Sequence, residues 1–244
     1  MFALFKKEIS SFFSSLSGFI VVLVFLIGTG LILWVFPGSK INILENGFAS
    51  MDGFFVIAPW LFMFLIPAVT MRMFAEEQKT GTIELLLSKP LSDLQIVGAK
   101  YMAAVALAFC AVIPTLIYFF SIYYLASPAG NVDTAGIIGS YIGLLFLCSG
   151  FTSIGIFSSV LSSNQVMSFI IAVILSFFFF SGFEFISSII SNARASNILS
   201  SLGISNHYDS LSRGVIDTRD IIYLASLTLL FLYLSRFILE KRKW

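Results

Sequence analysis

The chain has 244 residues, of which 58% are hydrophobic and 11% charged, with a mean hydropathy of +0.99. A soluble domain of this length cannot hide that much apolar surface, which excludes a free globular protein and points to an integral membrane protein. A net charge of only +1 offers no basic surface for nucleic acid, and none is expected as a partner.

Residues Phe2, Phe5, Ile9, Phe12, Phe13 and Leu16 recur at helical spacing, with Lys6, Lys7, Ser10 and Ser14 on the other face. The pattern predicts an amphipathic helix over 1–17, either flat in the membrane interface or forming the solvated start of the first span. The apolar run after Ser17 is long enough to span and lacks a small-residue cleavage site, so no cleavable signal is expected. Span one is expected from about Phe19 to Phe36, closed by Pro37-Gly38. Span two lies between Asp52 and Arg72 and contains Pro59 and Pro67. A proline inside a helix frees a backbone carbonyl that neighbouring helices must satisfy. This span is therefore expected to be kinked and packed within protein.

The segment 72–100 breaks the apolar pattern. It carries Arg72, Glu76, Glu77, Lys79, Glu84, Lys89, Asp93 and Lys100 between charge-free runs. At the bilayer centre each charge would cost about 2.5–3.5 kcal/mol, so the segment must lie in water. Gly81-Thr82 is expected to open a short helix of about two turns, with Thr82 capping free N–H groups. Ile83, Leu85, Leu86 and Leu87 follow, and Pro90 ends it. Ser92 with Gln95 reads as the capping box of the next helix. Ile83, Leu85 and Leu86 cannot all face the bilayer between Glu84 and Lys89, so some are expected to fill a pocket on a partner.

Span three runs from beyond Lys100 to about Leu125, with Pro114 near its middle, and Ser127-Pro128-Ala129-Gly130-Asn131 is a turn. No residue from Thr134 to Phe183 is charged. One crossing needs about 20 residues, so this run must fold back once. Ser162-Ser163-Asn164-Gln165 divides it into span four, from about Ile137 to Leu161, and span five, from about Val166 to Phe183. Gly139 and Gly143 permit close helix approach, within one subunit or between two. Glu184 comes roughly 27 Å along from Val166, near the far interface, so a bend there and a proton relay both stay open. Cys110 and Cys148 sit in apolar runs as packing residues rather than as a disulfide or metal pair. In the stretch 191–220, Asp217, Arg219 and Asp220 look like a self-paired cap on the final helix. Span six runs from Ile221 to about Leu239, with Arg236 able to snorkel and Lys241-Arg242-Lys243-Trp244 as an anchor. With both termini cytoplasmic, ten basic residues lie inside and four (Lys40, Arg194, Arg213 and Arg219) outside, which places 72–100 in the cytosol.

The residues Glu76, Glu77, Gly81, Thr82, Glu84, Leu85, Leu86 and Pro90, continuing through Gly98 and Lys100, resemble the signature of type 2 ABC transporter permeases. In that family the segment is the coupling helix, which sits in a groove of an ATPase subunit. Lys7-Glu8-Ile9 followed by Phe12-Phe13 resembles the family's N-terminal helix, without the proline that often follows there. His207 and Tyr208, ahead of Gly214, Asp217, Arg219 and Asp220, resemble its last extracytoplasmic loop. The likeness covers essentially the whole chain, and within the family it looks closest to the gliding-motility type.

The resemblance implies an all-α integral membrane protein of six spans in one domain, 1–244. It has an interfacial helix at 1–17, a coupling segment at 72–100 and an extracytoplasmic loop at 191–220. It also implies a bacterial inner membrane, a cytoplasmic ATPase subunit and a second permease subunit, identical or not. An extracytoplasmic auxiliary subunit is a further candidate partner, and the lipid bilayer surrounds the whole. The expected mechanism is that closure of two ATPases pushes on Thr82–Leu87 and tilts spans two and three. No phosphate-cradling Gly-x-x-x-x-Gly-Lys-Ser/Thr occurs, so no nucleotide site, cofactor, metal or catalytic residue is expected in the chain itself. Two alternatives call for features of another kind. An intramembrane enzyme needs a catalytic set at membrane depth, whereas His207 lies in the outer loop. A secondary transporter needs inverted repeats or midplane charges, and neither is visible.

Overall fold

The computed structural model describes residues 1–37, 41–45 and 47–241, without the side chains of Leu16 and Ser17. The expected roles of Leu16, Gly38, Lys40, Arg242, Lys243 and Trp244 lie outside the described residues. Helix α1 (Phe2–Phe13) turns at Ser14–Ser15 into α2 (Leu16–Gly30), which a π-helical turn extends to Val35. Then follow α3 (Asp52–Lys79), the short α4 (Thr82–Leu87) and α5 (Asp93–Val112). A 3-10 turn at Ile113–Thr115 joins α5 to α6 (Leu116–Leu125). Beyond the turn at Ser127–Asn131 come α7 (Thr134–Leu161) and α8 (Gln165–Phe177). A π-helical turn at Phe178–Gly182 leads into α9 (Phe183–Ile189). The chain closes with α10 (Ala193–Ser200), α11 (Ile204–Ser212) and α12 (Thr218–Lys241). The described residues are all helix and loop. Six of the helical runs are long and apolar enough to cross a membrane: α2, α3, α5–α6, α7, α8–α9 and α12.

The boundaries depart from the sequence expectation in two places. Span two does not stop at Arg72, because α3 carries its charged end out of the apolar region as unbroken helix to Lys79. Span five runs past Phe183 to Ile189. Its helix continues through Glu184, which is exposed and accepts a hydrogen bond from Ser205 of α11 at 3.2 Å.

The core is built on α3 and α7. Small residues along α7 let the two backbones close up. A Cβ at Gly155 would run into Thr70 of α3, and one at Gly143 would come within 2.5 Å of Leu211 of α11. Gly139 faces the backbone of Gly214 in the same way, so both glycines of that spaced pair are consumed in packing within this subunit.

The prolines act as expected at one point. Pro59 has no N–H, so the carbonyl of Phe55 four residues earlier loses its helical donor. The buried Tyr208 hydroxyl of α11 donates to that carbonyl at 2.9 Å. The stretch 191–220 is thereby fastened to the first turns of α3. At Pro114, the Thr115 carbonyl accepts from Tyr141 of α7 at 3.1 Å.

Candidate functional site

The charged segment gathers at one end of the bundle. Gly81 adopts a left-handed conformation (φ +72°) that lets the chain leave α3 and enter α4 at once. Thr82 is not the cap it was expected to be. It is the first residue of α4, and its hydroxyl bonds Thr80 Oγ1 at 2.9 Å, because the left-handed Gly81 occupies the capping position. The helix ends at Leu87, ahead of Pro90, and the capping box at Ser92 and Gln95 starts α5 as the spacing predicts.

The six residues of α4 divide cleanly. Ile83 and Leu86, three apart and so on one face, are buried within this chain, 8% and 7% exposed. They face this chain's own interior, whereas the sequence expected some of Ile83, Leu85 and Leu86 to meet a partner. Leu85 is 68% exposed and stands beside exposed Thr82 and Glu84. Glu76 and Pro90 are also exposed. Between α1 and the end of α3 lies a cleft of about 260 Å³, bordered by Lys7, Arg72, Glu76, Thr80 and Thr82.

Beneath this face sits an ion cluster that joins three helices. Lys100 of α5 is fully buried, yet its ammonium donates to Glu8 Oε1 of α1 at 2.9 Å and to the Met73 carbonyl of α3. It also lies 3.1 Å from Glu77 Oε2 as an ion contact outside hydrogen-bond alignment, and 5.0 Å from the Phe74 ring. Lys7 takes the other oxygen of Glu77 at 3.0 Å and lies 3.8 Å from Glu8. Burial lowers the pKa of the Lys7 ammonium, but the Glu77 hydrogen bond and the carboxylates of Glu77, Glu8 and Glu76 outweigh it and leave the pKa above 10.5. Two cations and two anions thus alternate, with no net charge left over. A buried lysine is tolerable only with such pairing.

The inward stripe of α1 is consequently Leu4, Glu8 and Phe12, at i, i+4 and i+8, which the apolar pattern alone did not reveal. Phe2 is 77% exposed and stacks on Phe5, so the expected apolar face survives as a second, outward one.

The same end of α3 is also clasped by α7. Ser159 Oγ accepts from the N–H groups of Phe74 and Ala75 at 2.9 and 3.2 Å and donates to the Met71 carbonyl at 3.0 Å. Gln78 donates to the Val160 carbonyl at 3.0 Å.

The candidate residues of the stretch 191–220 form a structural knot. His207 Nδ1 lies 2.7 Å from Asp220 Oδ1 and its Nε2 2.9 Å from the Ser201 carbonyl, while its ring stacks on Tyr223 at 3.9 Å. Ser210 bonds the other Asp220 oxygen. The self-paired cap is therefore corrected. Asp217 alone caps, accepting from Arg219 N at 2.8 Å, because the turn of α12 hands Asp220 to α11 instead. Gly214 has φ +79° and abuts Gly136, so it admits no side chain.

Compared with known protein families, residues 2–244 match the model described as ABC-2 family transporter protein. Comparison with curated proteins returned no match.

Proposed function

The chain belongs to the ABC-2 family of transporter proteins, and from that premise we propose that α4 is where a separate ATPase subunit drives this membrane-spanning permease. The supporting observation is the pairing of an exposed Thr82–Glu84–Leu85 face with a buried cluster directly behind it. A push on α4 enters α3 through an unbroken helix end. Lys100 passes it to α5 and, by way of Glu8, to α1. ATP can shift such a body between two states only by its differential affinity for them. The output is export of a substrate or transmission of force to an outer partner. The gliding-motility type is proposed on overall likeness of the chain, together with the inner membrane, cytoplasmic termini and a second permease subunit. The outer knot at His207, Tyr208, Gly214, Asp217, Arg219 and Asp220 would be the surface offered to an extracytoplasmic auxiliary subunit.

Glu84→Arg tests the reading, with Leu85→Ala as a second probe, since both side chains point away from this chain's core. Truncating an interface anchor costs about 2 kcal/mol, roughly thirtyfold in affinity. Each variant should insert and melt like the parent, yet lose the co-expressed ATPase on purification. Retention of the ATPase at unchanged stoichiometry, with unchanged ATP hydrolysis, would remove α4 from the coupling path.

A further inference from the structure

A groove of about 550 Å³ runs along the outside of α5, α7 and α12, and its wall is almost wholly apolar. That volume lies within the range of sites that take a small ligand. Phe109, Ile142 and Leu229 border it and are exposed, whereas the Tyr101 hydroxyl meets those of Ser149 and Thr228 at its floor. Ser149 and Thr228 donate to the Phe146 and Leu224 carbonyls of their own helices, and what remains for a ligand is a slot for a chain of methylenes.

A charge stands one helical turn beyond the slot. Ala225, Thr228, Leu229 and Leu232 line it from α12, and Arg236 follows one turn on, on the same helix face and about 6 Å further along. Among the described residues Arg236 has one ion contact, Glu240 at 3.9 Å, with both side chains about half exposed. A pair that long and wet contributes little, and a phosphate would offer the guanidinium a bidentate partner in its place. In sequence, Lys241, Arg242 and Lys243 come next, a basic run of the kind that draws anionic lipid at a membrane surface.

We infer that this groove is a binding site for one anionic phospholipid, with an acyl chain between α5, α7 and α12 and its phosphate at Arg236. The charge at one end and the apolar slot above it match the two halves of that molecule. A second copy of the chain matches only the slot.

The test uses the full-length chain, delipidated in detergent and titrated with phosphatidylglycerol or phosphatidylcholine of identical acyl chains under native mass spectrometry. One phosphatidylglycerol should be retained in preference to phosphatidylcholine. Arg236→Gln should weaken it about tenfold, the loss of one charge-assisted contact, whereas Arg194→Gln on the outer loop should not. Ala225→Phe should abolish the one-lipid species by filling the slot. Should that variant misfold, Ile142→Trp blocks the slot from its exposed rim. Equal retention of both lipids, or unchanged phosphatidylglycerol binding in Arg236→Gln and the slot-filling variant, would overturn the site. A dimer that dissociates when the slot is filled, with lipid binding unchanged, would overturn it in favour of a second copy.

Discussion

Lys100→Met isolates the ion cluster. The substitution keeps the length of the side chain and removes a cation that is 1% exposed. Left behind are Glu8 and Glu77, 12% and 13% exposed, with Lys7 near both. Breaking a buried pair by deleting one partner costs about 3–5 kcal/mol, because the surviving charge has no compensation. Lys7 still neutralises part of the deficit here, so the lower bound of about 3 kcal/mol applies. For a chain of this size each kcal/mol moves the midpoint by about 2–4 °C, giving a fall of about 6–12 °C. Thermal unfolding in detergent, followed by tryptophan fluorescence and by size exclusion, reads it directly. The companion variant Lys100→Met with Glu8→Gln and Glu77→Gln leaves only the Lys7 cation, which is 61% exposed and can be solvated, and should recover most of the loss. If the single variant melts with the parent, or the triple is no better than the single, the cluster does not hold α1, α3 and α5 together.

Tyr208→Phe should cost about 1–3 kcal/mol by orphaning the Phe55 carbonyl, and adding Pro59→Ala should restore much of it, since residue 59 then supplies its own N–H; a double-mutant cycle of melting midpoints shows this as a coupling. Burial, with Glu184 nearby, outweighs Arg213 and raises the Asp209 carboxyl above 3.8, so its contribution to stability is full below that value and is lost as pH rises through the raised one. Asp209→Asn should therefore melt later than the parent at neutral pH and together with it in strong acid. In a background without Cys110 and Cys148, a cysteine at exposed Asn206 should react with an impermeant reagent on whole cells and one at exposed Ser88 should not; the reverse pattern would invert the proposed orientation.

What the sequence disclosed and what it concealed divide by range. The six crossings, the fold-back at Ser162–Gln165 and the capping box at Ser92 are written in runs of neighbouring residues, and the structure has them where those runs place them. The ion cluster is not, since Glu8 and Lys100 are 92 positions apart and each reads locally as a solvated charge. An apolar period also misleads on α1, where one of the residues facing inward is Glu8, held between Leu4 and Phe12. Helical phase could have separated Ile83 and Leu86 from Leu85, because residues three apart share a face and adjacent ones do not. It could not have shown which face was covered by the chain itself. Asp220 was misread for a related reason: its near sequence neighbour Arg219 drew the pairing that His207, on another helix, makes.

The fastenings of α3 bear on how any push would travel. Phe55 and Gln78 are about 35 Å apart along this helix, and side chains from other helices hold it near both ends. Tyr208 takes the carbonyl that Pro59 frees at one end, while Ser159 and Lys100 grip the end nearest α4, where Gln78 of α3 in turn donates to Val160. Between them Gly155 lets α7 lie against Thr70. A helix held at two ends and in the middle moves with its neighbours more readily than it bends. In the proposed transporter α3, α7, α5 and the outer knot would therefore shift as one body, with Pro59 serving as a rivet. Change of access would then come from this body moving against α2, or against a second subunit, rather than from flexing within span two.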